Sequence, residues 1–457
     1  MNMRQMIWAT VILCLGAGSA LAHASEQGFV LLLPTDIYIS AGVISVALTL
    51  LLLAVLPEGL SHALFRPAPL WPAMRPALRH VTSGLAAAAL LWLILTGLTG
   101  PRDPLANPLP LAIWVVWWIA LVSVQGLIVD VWRWLNPWTG PAALMARMTG
   151  ERAPLRYPRA LGHLPALGGF VAFGAFLLAD PAPADPARLS WVVGCYWLGT
   201  LAAVMLFGPK WLLRAEFVTV LMRSYAGMSI IGRASGRVAL GLPGWKLLRP
   251  ARTMSAGLAL FVLLLLGTGS FDGLNETFWW LGLLDINPLE FPGRSAVITP
   301  TLWGLLASNA ALILVFAVTL RAGITIAGGG VPLGRAMRVF APSILPIALA
   351  YHIAHYLTSF LVDGQYVLSA LSRALGGDGL RVTTGFLNTP GPVKVIWLSQ
   401  AGVVVAGHVI AILMAHALAL RLLGGTRRAV LSQLPLALFM VAYTFFGLWL
   451  LASPRGM

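Results

Sequence analysis

The sequence is built largely from long apolar runs, each close to the roughly 20 residues that a helix needs to cross a bilayer. Of its 457 residues, 59% are hydrophobic and 10% are charged. A soluble protein of this size could not bury so much apolar surface. The pattern therefore predicts an all-α polytopic membrane helical bundle of about ten transmembrane helices. The predicted spans are 37–56, 82–100, 110–130, 164–180, 190–208, 255–271, 299–320, 339–362, 395–420 and 433–452.

The first residues read as a secretory signal peptide. Arg4 supplies a basic start, residues 7–16 an apolar core, and Ala20 to Ala22 a small-residue cleavage site. We predict a signal peptide at residues 1–22 and a single integral membrane domain at 23–457. Cleavage after Ala24, or retention of the segment as a first anchor, stays open.

The basic residues are distributed unequally between the predicted loops. If the mature N-terminus lies outside, the inward loops hold 22 Lys and Arg and the outward segments hold 7. This asymmetry follows the positive-inside rule and predicts a multi-pass protein of a bacterial inner membrane with its mature N-terminus outside. The net charge of +15 is thus an orientation signal, and we expect no nucleic-acid partner. Membrane lipid is the expected partner, and the basic loop 209–254 either lies on anionic lipid or only fixes topology.

Two predicted spans carry histidines at membrane depth, where ionisable side chains are costly and commonly functional. With a rise of 1.5 Å per residue, His355 lies roughly 10 Å and His352 roughly 15 Å from the outer end of the eighth span. His408 lies roughly 20 Å into the ninth span by the same arithmetic. These three histidines are predicted to share a layer near the middle of the bilayer, with His416 nearer the inner surface.

Imidazole is the commonest metal ligand among side chains, so this layer suggests a metal site. His355, His408 and His352 are the candidate ligands of a divalent metal, zinc or copper, with a position open for water. Asp363 or Glu276 would orient a ligand or act as a base. Haem ligation, a proton or ion relay, and simple hydrogen bonding between helices stay open as alternatives.

Asp272 ends the sixth span in the segment Gly267-Thr-Gly-Ser-Phe-Asp-Gly. The position at the outer mouth of the bundle makes it a candidate catalytic residue beside Asp363, and a structural cap is the alternative. The sequence contains no Walker, Rossmann, nucleophile-elbow or HExxH motif, which argues against several common enzyme classes.

Several short blocks of the sequence resemble one bacterial family. Its members share an N-terminal His after processing, together with D-V-W-R…N-P-W, S-F-D-G, A-H-Y…G-Q and G-H-V…A-H blocks. The matching residues, in chain order across most of the mature chain, are Asp130 to Trp138, Ser270 to Gly273, His355-Tyr356 with Gly364-Gln365, and Gly407-His408-Val409 with Ala415-His416. The chain thus resembles the polytopic membrane proteins named fenitrothion hydrolases, although His352 is not part of their pattern.

The resemblance implies hydrolysis of organophosphorus triesters, a class of small apolar substrate that partitions from lipid. It also draws attention to His355, His408, His416 and Asp272. Two other functions stay open. One is transport or handling of copper, in which His23 at a processed N-terminus would take part, and the other is a membrane subunit that docks a protein partner.

Overall fold

The structure is a computed structural model that describes residues 30–55, 59, 63–72, 78–150, 153–249, 253–291 and 293–455. The predicted signal peptide and His23 lie outside these described residues. The described chain is mostly helical with only three short strands, so the predicted all-α polytopic bundle is confirmed. Nine helices in the described part of the chain are long and apolar enough to span a membrane. The remaining predicted span, the fourth at 164–180, is a shorter apolar helix of 16 residues, Leu164–Ala179.

The elements follow one another in a simple order. The spanning helices are α1 (Thr35–Val55), α2 (Arg79–Thr99), α3 (Pro108–Leu127), α7 (Pro186–Phe207), α10 (Ala256–Leu274), α12 (Ile298–Ile326), α14 (Leu345–Ala374), α15 (Pro390–Leu423) and α16 (Thr426–Ala452). The shorter helices are α4 (Trp132–Leu135), α5 (Thr139–Thr149), α6 (Leu164–Ala179), α8 (Lys210–Arg214), α9 (Phe217–Ala226), α11 (Phe278–Leu283) and α13 (Leu333–Phe340). Three short strands are β1 (Ala68–Pro72), β2 (Ile231–Ala234) and β3 (Arg237–Leu240).

Burial separates central helices from peripheral ones. In α10, 72% of the most apolar stretch is buried, whereas the corresponding share in α1 and in α2 is 17%. The first part of α14, from Leu345 to His352, is buried at every position and packs against α3, α10 and α15. Apolar side chains on α1 and α2 point outward, as a lipid environment favours. Several polar residues of α10 and of the first part of α14 are therefore held in the protein interior.

Local sequence explains how individual helices begin. The side chains of Ser255 and Asp185 accept hydrogen bonds from the first-turn amides of α10 and α7, at 3.3 and 2.8 Å. These caps satisfy amides that have no partner within the helix. Between α13 and α14, Pro342 and Pro346 lack the amide donors of a continuous α-helix, and a 3₁₀ turn at Ala341–Ile344 joins the two.

Two departures from regular α-helix were not predicted. The middle of α3, Leu111–Leu121, is a π-helix, a rare form in which hydrogen bonds join residues five apart. In addition, β3 pairs antiparallel with both β2 and β1, so the loop after α1 joins the loop after α9 in one sheet. The sequence does not reveal this sheet because its strands are short and β1 is far from β2 and β3 in the chain.

The bundle has two ends that differ in their side chains. The end at which α2 begins and α3 and α7 finish is called the basic end, and it carries the small sheet. The opposite end, at which α10 and α16 finish, is called the site end. There Thr277 forms an isolated bridge with Arg455, which ties the segment after α10 to the segment after α16.

Candidate functional site

Asp272, His355 and Tyr356 form a buried polar cluster at the site end. Asp272 lies on α10, and its Oδ2 is 3.2 Å from Nε2 of His355 on α14. The hydroxyl of Tyr356 donates a hydrogen bond to the same Oδ2. The side chains of His355 and Asp272 are only 7% and 11% exposed. The sequence analysis selected both Asp272 and His355, but it did not predict that they pair with each other.

Glycines on α10 allow α14 to approach closely enough for this pairing. A Cβ at Gly273 would lie 1.8 Å from the hydroxyl oxygen of Tyr351, whereas a Cβ at Gly269 would meet the same ring at 3.6 Å. The Tyr351 ring in turn stacks on the His355 ring, with centroids 5.6 Å apart and planes 13° apart. Tyr351 thus fills the space that Gly273 leaves open and supports the imidazole from one side.

The cluster forms one wall of a cavity of about 310 Å³. Charged residues Glu276, Arg294 and Arg455 also line it. Its lining further includes Leu177, Thr358, Ser359, Trp397 and Gln400. The guanidinium of Arg294 donates to the Leu177 carbonyl at 2.9 Å. The volume is at the lower end of the range for small-molecule sites.

A second, much smaller space lies on the inner side of the cluster. It measures about 30 Å³ and is lined by Asp272, His355 and Tyr356 together with Tyr351 and His352. The three cluster residues line both spaces. They therefore stand between the larger cavity and the interior of the bundle.

His352 and His408 do not join the cluster. Nε2 of His352 lies 2.9 Å from the Trp118 carbonyl, and the two rings meet edge to face. Nδ1 of His408 lies 2.9 Å from the Val404 carbonyl, while its Nε2 is buried without a hydrogen-bond partner among the described residues. His352 and His355 diverge because three helical steps of about 100° leave them about 60° apart on α14.

The predicted set of three metal-binding histidines is therefore not assembled in this structure. Within the described residues, no group of three or more His, Cys, Asp or Glu side chains is arranged to hold a metal ion. His352 faces α3 whereas His355 faces α10, so the two imidazole rings contact different neighbours. Binding of zinc or copper stays a prediction, and His355 with Asp272 is the adjacent pair of donors that the structure offers it.

Asp363, the second predicted catalytic carboxylate, lies apart from the cluster. It is eight residues after His355 on α14, about 12 Å farther along the helix axis. It is half-buried and is not among the described residues that line the 310 Å³ cavity. Glu276, its alternative in the sequence analysis, does line that cavity.

The sequence analysis missed several residues of the site. Tyr351 was not assigned a role, although the spacing of Gly269 and Gly273 on α10 is a signal of close helix approach. Arg294 and Arg455 were counted only as outward charges. Nothing in their sequence surroundings indicates that they meet at one cavity.

The cluster has the geometry of a general base held by a carboxylate. Nε2 of His355 is directed at Asp272, and its Nδ1 is buried without a partner among the described residues. A carboxylate that orients an imidazole and stabilises its protonated form is a recurrent feature of hydrolytic sites.

Comparison of the chain with protein-family models, with curated proteins and with solved structures gave no match.

Proposed function

We propose that this chain is a membrane-embedded hydrolase that uses His355 as a general base. The observation that carries the proposal is the buried Asp272–His355 pair in the wall of a 310 Å³ cavity. The proposed substrate class, organophosphorus triesters such as fenitrothion, comes from the sequence resemblance. A neutral triester suits a site in an apolar bundle because it can enter from lipid and needs no anion-binding loop.

The proposed reaction begins when a side-chain movement opens Nδ1 of His355, which is buried in this structure, to a water molecule from the cavity. The water oxygen bonds to phosphorus, its proton passes to His355, and the bond from phosphorus to the aryloxy oxygen breaks. The aryloxide leaves with the electron pair and takes up the proton from His355 or from solvent. Asp272 stabilises the imidazolium that forms in between, and the positive charges of Arg294 and Arg455 favour the negative charge that develops in the cavity.

The orientation is part of the proposal. The basic end would face the cytoplasm of a bacterial cell and the site end would face outward, as the positive-inside rule favours. Substrate would then reach the cavity from the outer leaflet or from the outer solution.

The test is release of nitrophenol from fenitrothion by membranes that contain equal amounts of each variant. His355→Ala and Asp272→Asn are expected to lower the rate by at least about a hundredfold, in the range of general-base catalysis. His408→Gln is the matched control, since His408 is a buried histidine outside the cluster. Full activity in His355→Ala would refute the proposal. If His408→Gln loses activity, and a chelator also abolishes the activity of the unmodified protein, the metal site is favoured instead.

The two other functions stay predictions. Copper handling would require metal ligands along a route, and a docking role would require a stoichiometric partner. Uptake of copper by vesicles that contain the protein, and copurification of a second chain, are the respective tests.

A further inference from the structure

A second and larger cavity, of about 860 Å³, opens at the basic end of the bundle. The cavity is enclosed by four parts of the chain. These are the start of α2, the segment from Asp130 to the end of α5, the end of α7 together with α8, and α9. Five basic side chains line it, namely Arg79, Arg133, Arg156, Lys210 and Arg223. This cavity is separate from the candidate site, which lies at the opposite end.

The positive charges in this cavity are poorly neutralised. Asp130 is the one acid among the described lining residues, and its Oδ1 accepts a hydrogen bond from Gln125 at 2.9 Å. None of the five basic side chains forms an ion pair with a described carboxylate. Like charges gathered in one concave site attract an anion from solution or from a membrane.

Arg133 has the least satisfied guanidinium among the described basic residues of this cavity. Its guanidinium lies over the Trp134 ring at 3.7 Å, and its Nε is buried without a hydrogen-bond partner among the described residues. Burial lowers the pKa of Arg133, the positive charge of Arg233 lowers it further, and Asp130 acts in the opposite direction. An anion in the cavity beside this guanidinium would offset its unfavourable charge.

The other walls of the cavity are apolar. They include Ala142, Ala143 and Ala146 of α5, together with Val204 and Leu213. The neighbouring α5 side chains Leu144 and Met148 are 60% and 78% exposed. A basic floor beside an apolar wall matches a molecule with a charged head and a hydrocarbon chain.

We propose that the cavity at the basic end binds a phosphate group, and that the apolar wall makes an anionic phospholipid the preferred source of that group. Arginine contacts phosphate oxygens through paired N–H donors, which suits Arg133 and Arg223. Clusters of basic residues at the cytoplasmic boundary of a membrane bind anionic headgroups in this manner. The site would anchor this end of the bundle to the lipid.

The proposal is tested with full-length protein purified in detergent and titrated with phosphatidylglycerol or phosphatidylcholine, with bound lipid counted by native mass spectrometry. Arg133→Gln and Arg223→Gln are compared with Arg338→Gln, an exposed basic residue of α13 outside the cavity. Each cavity variant should weaken binding of phosphatidylglycerol about fivefold, the effect of one lost charge near a membrane surface. Binding by Arg338→Gln should match the unmodified protein.

Competition with inorganic phosphate distinguishes the two sources. Displacement of phosphatidylglycerol only by other anionic lipids supports the lipid source, and displacement by millimolar inorganic phosphate supports a phosphate from solution at the same site. Equal binding of phosphatidylglycerol and phosphatidylcholine, or equal binding by cavity variants and the Arg338→Gln control, would overturn the proposal. Arg223 and Lys210 are exposed, so Lys210→Gln serves as a second test if Arg133→Gln fails to fold.

Discussion

Gly273→Ala should disturb the helix contact that supports the candidate site. The new Cβ would lie 1.8 Å from the hydroxyl oxygen of Tyr351, so the ring must move or α10 must separate from α14. Overpacking of this kind costs about 1–3 kcal/mol of unfolding free energy. Gly269→Ala is the matched control on the same helix, since its Cβ would meet Tyr351 at an ordinary 3.6 Å.

Removal of the tyrosine hydroxyl should partly rescue the first variant. In Gly273→Ala/Tyr351→Phe, the closest remaining contact of the Cβ with the ring is the former Cζ position, at 3.2 Å. Tyr351→Phe alone should cost little, because the Tyr351 hydroxyl is buried without a partner among the described residues. The double variant therefore isolates the steric clash from other effects of the alanine.

The assay is thermal unfolding of the four variants and the unmodified protein in one detergent, with nitrophenol release as the functional readout. Gly273→Ala should have the lowest apparent Tm, and the double variant should recover a large part of the loss. Because Tyr351 stacks on His355, displacement of its ring should also reduce activity in Gly273→Ala. An apparent Tm for Gly273→Ala equal to that of Gly269→Ala would refute the reasoning, since the clash would then be absorbed without strain.

Two further predictions concern groups outside the spanning helices. Burial lowers the pKa of Lys246 to about 8, so the unfolded chain holds this proton more tightly between about pH 8 and pH 10.5. Stability should therefore rise with pH in that window, and Lys246→Met should flatten the rise in apparent Tm; an unchanged slope would contradict this assignment. Separately, the Glu216 carboxylate accepts hydrogen bonds from two first-turn amides of α9, both at 2.7 Å. Glu216→Ala should cost about 1–2 kcal/mol and Glu216→Gln less, and equal apparent Tm values for the two variants would argue against a capping role.

The spanning helices could be predicted because a lipid environment imposes a length and an apolar composition on each one separately. Among the described residues all ten predicted spans are mostly helical, and the non-helical residues lie near the span ends. The eighth span, for example, was predicted to end at Val362, whereas α14 continues to Ala374. The residues after Val362 include polar ones, so the length of the apolar run could not predict that the helix continues.

The candidate site could be predicted only residue by residue. His355 is unusual because an ionisable side chain at membrane depth costs free energy, and Asp272 is unusual because it ends an apolar span. Their pairing, however, depends on how α10 packs against α14. The periodicity of the sequence shows which residues share a face of one helix, but it does not show which helix packs against that face. For this reason the sequence grouped His355 with His352 and His408, while packing groups it with Asp272 and Tyr356.

The basic cavity depends even more on tertiary structure. Its five cations come from segments that are separated by up to about 140 residues, and the sequence analysis read them as orientation signals. Both roles use the same charges, because a residue that fixes topology also remains at the membrane boundary after folding. The sequence shows on which side such charges lie but not which of them share one concave surface.

The π-helical stretch of α3 has a consequence for how this protein can change during evolution. Each turn with hydrogen bonds between residues five apart takes up about one residue more than an α-helical turn. Loss of a residue between Leu111 and Leu121 would therefore move the segment toward an ordinary α-helix instead of breaking it. Single-residue insertions and deletions, which most spanning helices cannot absorb, should be tolerated best in this stretch, and differences in length between descendants of this gene should gather there.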